Sequence, residues 1–377
     1  MATMPDHDVV IVGAGPVGLL LACLLTERGL DVVVCERHDG VDGRTRAIGI
    51  HRPGLDALDE AGVGEAVRQE ALRLEGGEVR SRGRVLASLT FTDDRPVLVL
   101  PQRRTDALLR QRIEQLDGAI LRSGNEVRAV HDEGHLVRVS VDRGDDSVEL
   151  TASLVVAADG VHSATRQSLG IPWRRRAGRS SYAMLDAADS GAGTRAHLYC
   201  EPGGLVESFP LPGGMRRWVV RTGATGPTHH DAAAFRMLIE ERTGMSPDFS
   251  VDTRPVGFRA AQHLARPSGR GRVILLGDAA HEVSPIGGQG MNLGWLDASR
   301  LAEVVAEEIG RRHPDLRTFQ RRALRSARTA QRRSAFYMAM GMPAGGVRLR
   351  GREGLIRLLG TPPLRGATAG LITMRGI

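Results

Sequence analysis

The chain opens with apolar runs broken by sharp polar or glycine stops. Asp8 to Gly18 read Asp-Val-Val-Ile-Val-Gly-Ala-Gly-Pro-Val-Gly, and Leu19 to Arg28 continue as an apolar helix stopped by Gly29. Asp31 to Cys35 form a second β-branched run, closed by Glu36 and Arg37. Two strands apolar on both faces and joined by a helix predict a βαβ unit in a buried parallel sheet. Gly54 to Gln69 put Leu55, Leu58, Val63 and Val67 roughly on one face, which predicts one helix, and Thr105 to Leu116 predict another. Short strands are expected from Gly77 to Leu100, β-ribbons from Val127 to Leu150, and a separate buried strand at Leu154–Ala157. Arg195–Tyr199, Leu205–Phe209 and Arg216–Arg221 alternate between turns bearing Gly and Pro, as antiparallel strands do. Asp231 to Arg242 reads as a helix, Val273 to Leu276 as a buried strand, and Met291 to Arg311 as a long helix with a basic helical tail after it. The pattern is a dinucleotide-binding α/β domain interrupted by an antiparallel insertion.

Composition narrows this picture. The length of 377 residues allows two or three domains, and 41% hydrophobic content with recurrent apolar runs excludes intrinsic disorder. All 51 basic residues are arginine, giving a net charge of +7, while aromatic residues are only 3%. The arginines are dispersed and few rings exist to stack on bases, so a solvated surface is the expectation and nucleic acid is not a partner. The most apolar stretch, Val9 to Leu25, is too short and too glycine-broken to span a bilayer, and no leader pattern precedes it. Three scattered cysteines (Cys23, Cys35 and Cys200) offer no metal spacing and fit free thiols in the cytoplasm.

Three motifs carry the chemistry. Gly13-x-Gly15-x-x-Gly18 stands between a strand and a helix: the first glycine makes the turn, the second lets a pyrophosphate approach the backbone, and the third lets helix and strand pack closely. Pro16 and Val17 fill the loop, and Glu36 ends the next strand, where an acid can hold ribose hydroxyls. This much suits NAD and FAD alike. Asp159-Gly160-x-x-Ser163-x-x-Arg166 forms the second motif. The third is Gly277-Asp278-Ala279-Ala280-His281, followed by Pro285-x-Gly287-Gly288-Gln289-Gly290-Met291-Asn292 at the start of the long helix. An aspartate at a strand end can bond a polyol, and a glycine loop at a helix start can lie against a flat ring that gains negative charge.

In this order and spacing the motifs resemble the class A flavin-dependent aromatic hydroxylases, the p-hydroxybenzoate hydroxylase family, over nearly the whole chain. The resemblance implies a Rossmann-like FAD-binding domain of the glutathione-reductase type (1–75, 97–172 and 268–377). It also implies an inserted antiparallel-sheet substrate domain (76–96 and 173–267) and C-terminal helices. It implies that Gly13 to Gly18 hold the FAD pyrophosphate, Glu36 the adenosine ribose, Arg37 the adenine end, and Arg46, with Arg44 as the competing register, the phosphates. By the same likeness Gln102 lies near the ribityl chain and Val127 clasps adenine through its backbone. Asp159 and Arg166 serve the region shared with the nicotinamide donor, Asp278 binds ribityl, and Gly288, Gln289, Gly290, Met291 and Asn292 back the isoalloxazine. Pro285 sits at the flavin–substrate border, and His281 supports the loop.

Tyr182, His197 and Tyr199 are candidates to line a substrate pocket or relay a phenol proton, with packing the plainer role of each. Arg221, with Arg216 and Arg217, is a candidate for an acidic substrate. The implied reaction is hydroxylation or epoxidation of an aromatic, quinone-like or polyketide-like molecule. It would run through a flavin C4a-hydroperoxide, with NAD(P)H and O₂ consumed and no metal. The alternatives are a reductase or dehydrogenase of the same fold without oxygen transfer, and a flavin-binding protein without turnover. No Trp-x-Trp-x-Ile-Pro segment and no lysine are present, which disfavours a halogenase. After Met291 only a helix and a short tail are expected, without the thioredoxin-like third domain of larger relatives. The tail from Ser334 to Ile377 is expected as one helix packed on the FAD domain, with a membrane surface as the alternative contact. The scarcity of aromatic residues predicts a substrate pocket walled mainly by aliphatic side chains.

Overall fold

The computed structural model describes residues 4–40, 47–176, 180–189, 191, 193–223, 231–250, 253–311, 314–362 and 364–377. The strand His7–Val12 pairs in parallel with Val32–Glu36 on one side and Asp146–Ala157 on the other. Ala119–Ser123 and Val273–Leu275 extend the parallel sheet outward. Its central strands lack polar alternation because both faces are covered. Val9 and Ile11 pack with the helix Pro16–Thr26 and with Trp295 and Leu301 of Gly290–Glu308. Val10 and Val12 pack instead on Val137, Val139 and Val141 of the β-ribbon.

Several elements depart from their expected bounds. The helix expected over 54–69 is two helices, Arg52–Glu60 and Gly64–Glu70, separated by the turn at Ala61 and Gly62. The Leu154–Ala157 strand is the end of one 12-residue strand, Asp146–Ala157. Its first half pairs antiparallel with Val137–Arg143, and its second half joins the parallel sheet. Nothing between Val148 and Ala157 breaks extended backbone, so one segment serves two ladders.

A second sheet of seven strands has the order Val256–Ala260, Ser180–Ala188, Met215–Arg221, Gly204–Leu211, Arg195–Glu201, Gly76–Ser81 and Arg84–Thr90. Every neighbouring pair is antiparallel except Arg195–Glu201 with Gly76–Ser81. One face carries the helix Ala232–Thr243, whose Phe235 and Ile239 pack on Tyr199, Trp218 and Val220. The other face packs with Ile286, Met338 and Ile356, and so turns toward the glycine loop and the C-terminal helices. A three-stranded sheet of Trp173–Arg175, His263–Ala265 and His281–Glu282 stands where the two large sheets adjoin.

The expectation of one helix and a short tail after Met291 is corrected: Arg317–Met340, Gly346–Leu359 and Leu364–Ile372 follow. Nor does the tail rest on the first domain alone. Arg352 donates to the carbonyls of Met340, Met342, Cys200 and Glu201. Glu353 pairs with Arg82 and accepts from the Ser81 hydroxyl. The Gly346–Leu359 helix is thereby bolted to the seven-stranded sheet.

Candidate active site

Three parallel strands release their chains at one edge of the first sheet, and each exit carries one of the motifs. Gly13 follows His7–Val12 at φ +102°, and a Cβ there would stand 2.7 Å from the Ala158 carbonyl oxygen, at the exit of the neighbouring strand. A methyl on Gly18 would be driven into the Gly13 carbonyl oxygen. The space where a Gly15 side chain would stand is open. Gly277, at the third exit, has Val17 against it, with a Cβ position 3.2 Å from that side chain. The crevice outside the carboxyl ends of such strands is where open α/β sheets bind dinucleotides.

The helix Pro16–Thr26 starts at Gly15 without a side-chain cap, so its first N–H groups are open to an anion. The Glu36 carboxylate accepts from the Ala14 N–H at 2.8 Å and from the His38 N–H at 3.0 Å, which fixes it beside the loop. Asn125 N–H donates to the Glu36 carbonyl, bringing the strand that carries Val127 to the same end. Arg37 is exposed next to it and donates to His38. Asp159 accepts from the Thr165 N–H with one carboxylate oxygen, while the other is buried without a hydrogen-bond partner. Asp278 is exposed in the 3₁₀ turn Gly277–Ala279. The open Gly15 face, the uncapped helix and the orphaned Asp159 oxygen together fit a bound dinucleotide.

Gln102 opens the helix Gln102–Glu114, and its side chain reaches Asp106 one turn later. One more turn along stands Arg110, whose guanidinium is 3.4 Å from the Ala14 carbonyl. The sequence reading missed this residue, although the i, i+4, i+8 spacing from Gln102 puts it on the same face. His51 was missed as well. It is buried beneath the glycine loop, its imidazole nitrogen 3.4 Å from where a Gly288 Cβ would stand, and burial pushes its pKa down to about 4.

Two candidates spend their polar groups on backbone carbonyls. Arg166 is only 3% exposed; it donates to the Ala279 and Val161 carbonyls and stacks 3.9 Å over the Trp173 ring, so it ties strand exits together. Asn292 is fully buried: it accepts from the His51 N–H and donates to the Gly49 and Gly288 carbonyls. It holds the loop in shape. Gln289 is also buried, Gly290 and Met291 begin the long helix partly exposed, and Pro285 is exposed. Tyr337 packs its ring on Gly287, leaving no room for a side chain there. Arg44 and Arg46 lie outside the described residues.

His281 is buried and bonded to Asp297 of the long helix. Burial favours its neutral form, but a 2.8 Å hydrogen bond to the buried Asp297 and the charges of Asp297 and Asp278 outweigh this and raise its pKa.

The four substrate candidates separate by sheet face. Tyr182 and Arg221 are direct cross-strand partners on the face turned to the glycine loop. Arg221 Nε donates to the Ser180 hydroxyl at 2.6 Å, while its Nη1 is buried without a partner. Burial pushes the Tyr182 phenol up to about 12, and its ring stacks on Phe258. Tyr199 points the opposite way, into the core under Ala232–Thr243, and His197, two residues before it in the same strand, shares that face. The period of a strand turns both away from the loop, which fits the packing role expected as the plainer one. Arg216 and Arg217 are engaged in ion pairs with Asp189 and Asp186.

Comparison with known proteins agrees with this geometry. Residues 6–334 match the model of a family described as an FAD binding domain. The chain is 31% identical over 392 residues to the 12-dehydrotetracycline 5-monooxygenase/anhydrotetracycline 6-monooxygenase of Streptomyces rimosus, covering 97% of this chain and 76% of that protein. Among solved structures, the anhydrotetracycline hydroxylase OxyS of Streptomyces rimosus superposes with a TM-score of 0.76 at 30% identity, over 98% of this chain and 76% of the other. The p-nitrophenol 4-monooxygenase PnpA of Pseudomonas putida superposes with a TM-score of 0.84 over 98% of both chains; at 24% identity it shows the shared fold. The fold is thus shared with known monooxygenases over nearly the whole chain.

Proposed function

The chain belongs to the FAD binding domain family and is an FAD-dependent monooxygenase, and from that premise we propose that it hydroxylates or epoxidises an aromatic, quinone-like or polyketide-like small molecule. NAD(P)H is the proposed reductant and O₂ the oxygen source. The observation that carries the cofactor site is the meeting of Gly13–Gly18, Asp159 and Gly277–Asp278 at three neighbouring strand exits.

Bound FAD would supply the redox and oxygen-transfer chemistry, and the protein's own groups do the rest. The Pro16–Thr26 helix start and Arg110 would meet the pyrophosphate, Glu36 the ribose, and Asp278 the ribityl chain. Gln102 and Val127 stand where they can flank the cofactor. Asn292, by clamping Gly49 and Gly288, would keep the Pro285–Gly288 loop planar against the ring system. The loop-facing side of the seven-stranded sheet supports a substrate site with mostly aliphatic walls: Leu86, Leu205, Val219, Met338 and Ile356 outnumber its few rings. Such a wall keeps water from the reacting atoms.

Cys23, Cys35 and Cys200 are all buried free thiols, which fits the reducing cytoplasm we propose for the protein. Among the described residues no helix is long and apolar enough to cross a membrane, and no His/Cys/Asp/Glu group is arranged to hold a metal.

A screen of NADH and NADPH oxidation and peroxide release over phenols, quinones and polycyclic ketones tests this proposal. Oxidation stimulated by a subset of them, with little peroxide released, is expected. Equal turnover without oxygen would replace it with a reductase, and no stimulation by any compound would contradict it.

A further inference from the structure

The loop-facing side of the seven-stranded sheet holds a carboxyl that the cofactor chemistry does not use. Glu207 lies in Gly204–Leu211, directly opposite Val219 on one neighbouring strand and Leu198 on the other. The same row continues through Met184 beyond Val219 and Val79 beyond Leu198. A carboxyl therefore stands in a row of aliphatic and thioether side chains. It is 5% exposed, and among the described residues neither of its oxygens makes a hydrogen bond or ion pair.

The groups around it are no better served. On the next row Arg221 bonds Ser180 through Nε but leaves a buried Nη1 empty. Tyr182 makes no well-formed hydrogen bond through its hydroxyl, and neither does Tyr337, which reaches the same cluster from Arg317–Met340. Cys200, a buried thiol on Arg195–Glu201, is a further titratable neighbour, and Arg217 on the same face is paired with Asp186. A buried polar group left unbonded is costly, so several on one face suit a polar ligand that would complete them.

We propose that Glu207 reads the substrate: its carboxyl donates a hydrogen bond to an acceptor oxygen, a carbonyl or a phenolate, on an otherwise apolar aromatic molecule. This rests on the monooxygenase reading, because it assigns this sheet face to the substrate. Burial holds the carboxyl neutral at physiological pH, pushing its pKa up to about 8, and only the neutral form has a proton to donate. An ion pair with Arg221 is not its role, since that guanidinium is turned to Ser180.

The test uses the full FAD-loaded protein, with 1-tetralone as a probe carrying one acceptor oxygen and tetralin as its hydrocarbon counterpart. Binding is followed calorimetrically and by perturbation of the flavin absorbance, without turnover. The wild type should bind 1-tetralone more tightly than tetralin. Glu207→Leu should weaken 1-tetralone about tenfold, the worth of one neutral hydrogen bond, and leave tetralin unchanged. Glu207→Gln, which still donates, should stay within about threefold of wild type. Infrared difference spectra against Glu207→Gln should show a neutral carboxyl band that moves when 1-tetralone binds.

The proposal is overturned if the wild type does not bind 1-tetralone, if all variants bind it equally, or if the band does not move. Should Glu207→Leu fail to fold, the Gln variant and the infrared band decide. Intact Glu207-dependent binding without oxygen transfer would fault the monooxygenase reading alone.

Discussion

Within the Gly13-x-Gly15-x-x-Gly18 loop, each glycine answers a different constraint, and substitution can tell them apart. Gly13 and Gly18 are required by the fold itself, through positive φ and contact with Ala158 in one case and collision with the Gly13 carbonyl in the other. Gly15 meets nothing of the protein, so the room beside it belongs to the ligand. Gly15→Val should therefore melt within about 2 °C of wild type while losing bound flavin, whereas Gly18→Ala should lower Tm by several degrees. Thermal melting beside flavin absorbance of the purified variants measures both. At Glu207, the proton retained by the folded state makes stability fall as pH rises from the ordinary glutamate range to about 8, and level off above. Glu207→Gln should remove that slope and gain on the order of a few kcal/mol relative to wild type at pH 8. Denaturant titrations across this pH range check it, and parallel curves for the two proteins would show that the carboxyl is not held neutral.

Elements expose where a linear reading stops. The glycine loops were legible because each pairs a residue type with a strand–helix transition. Tyr199 and His197 were not, because their residue types suit a substrate site while the strand period turns both to the opposite face, Tyr199 onto Phe235 and Ile239. The same period pointed to Glu207 all along: Leu205, Glu207, Phe209 and Leu211 share one face, with a carboxylate in an otherwise apolar set. Arg166 and Asn292 show another limit, since a polar side chain at a ligand motif can bond backbone carbonyls that no local pattern marks. The C-terminal helices escaped for want of a motif. The buried Arg352 bonds four carbonyls across two elements, and losing those bonds leaves acceptors unpaired. Arg352→Leu should cost about 2–4 kcal/mol. Hydrogen exchange should rise first in Gly346–Leu359 and in Arg195–Glu201, and uniform exchange elsewhere with these two protected would count against the bolt.

At the scale of the molecule, the chain leaves the parallel sheet twice to build the seven-stranded one, through residues 76–90 and 180–260, and returns each time. The alternation of buried and half-buried strands announced both sheets. Their mutual placement was set by side chains that no local pattern marks, among them Ile286, Met338 and Ile356. The arginine surplus resolves at this scale too. Many arginines stand in exposed ion pairs such as Arg68–Asp59, Arg104–Glu70 and Arg138–Glu133, worth little each and consistent with a solvated surface. Oxygen transfer by the bound flavin is the activity we propose for the molecule. The most direct measurement supplies the FAD-loaded protein with NAD(P)H, a stimulating aromatic compound and isotopically heavy O₂, and weighs the product. One heavy oxygen atom per product molecule is the predicted result; a product free of the label, or one carrying oxygen from water, would contradict it.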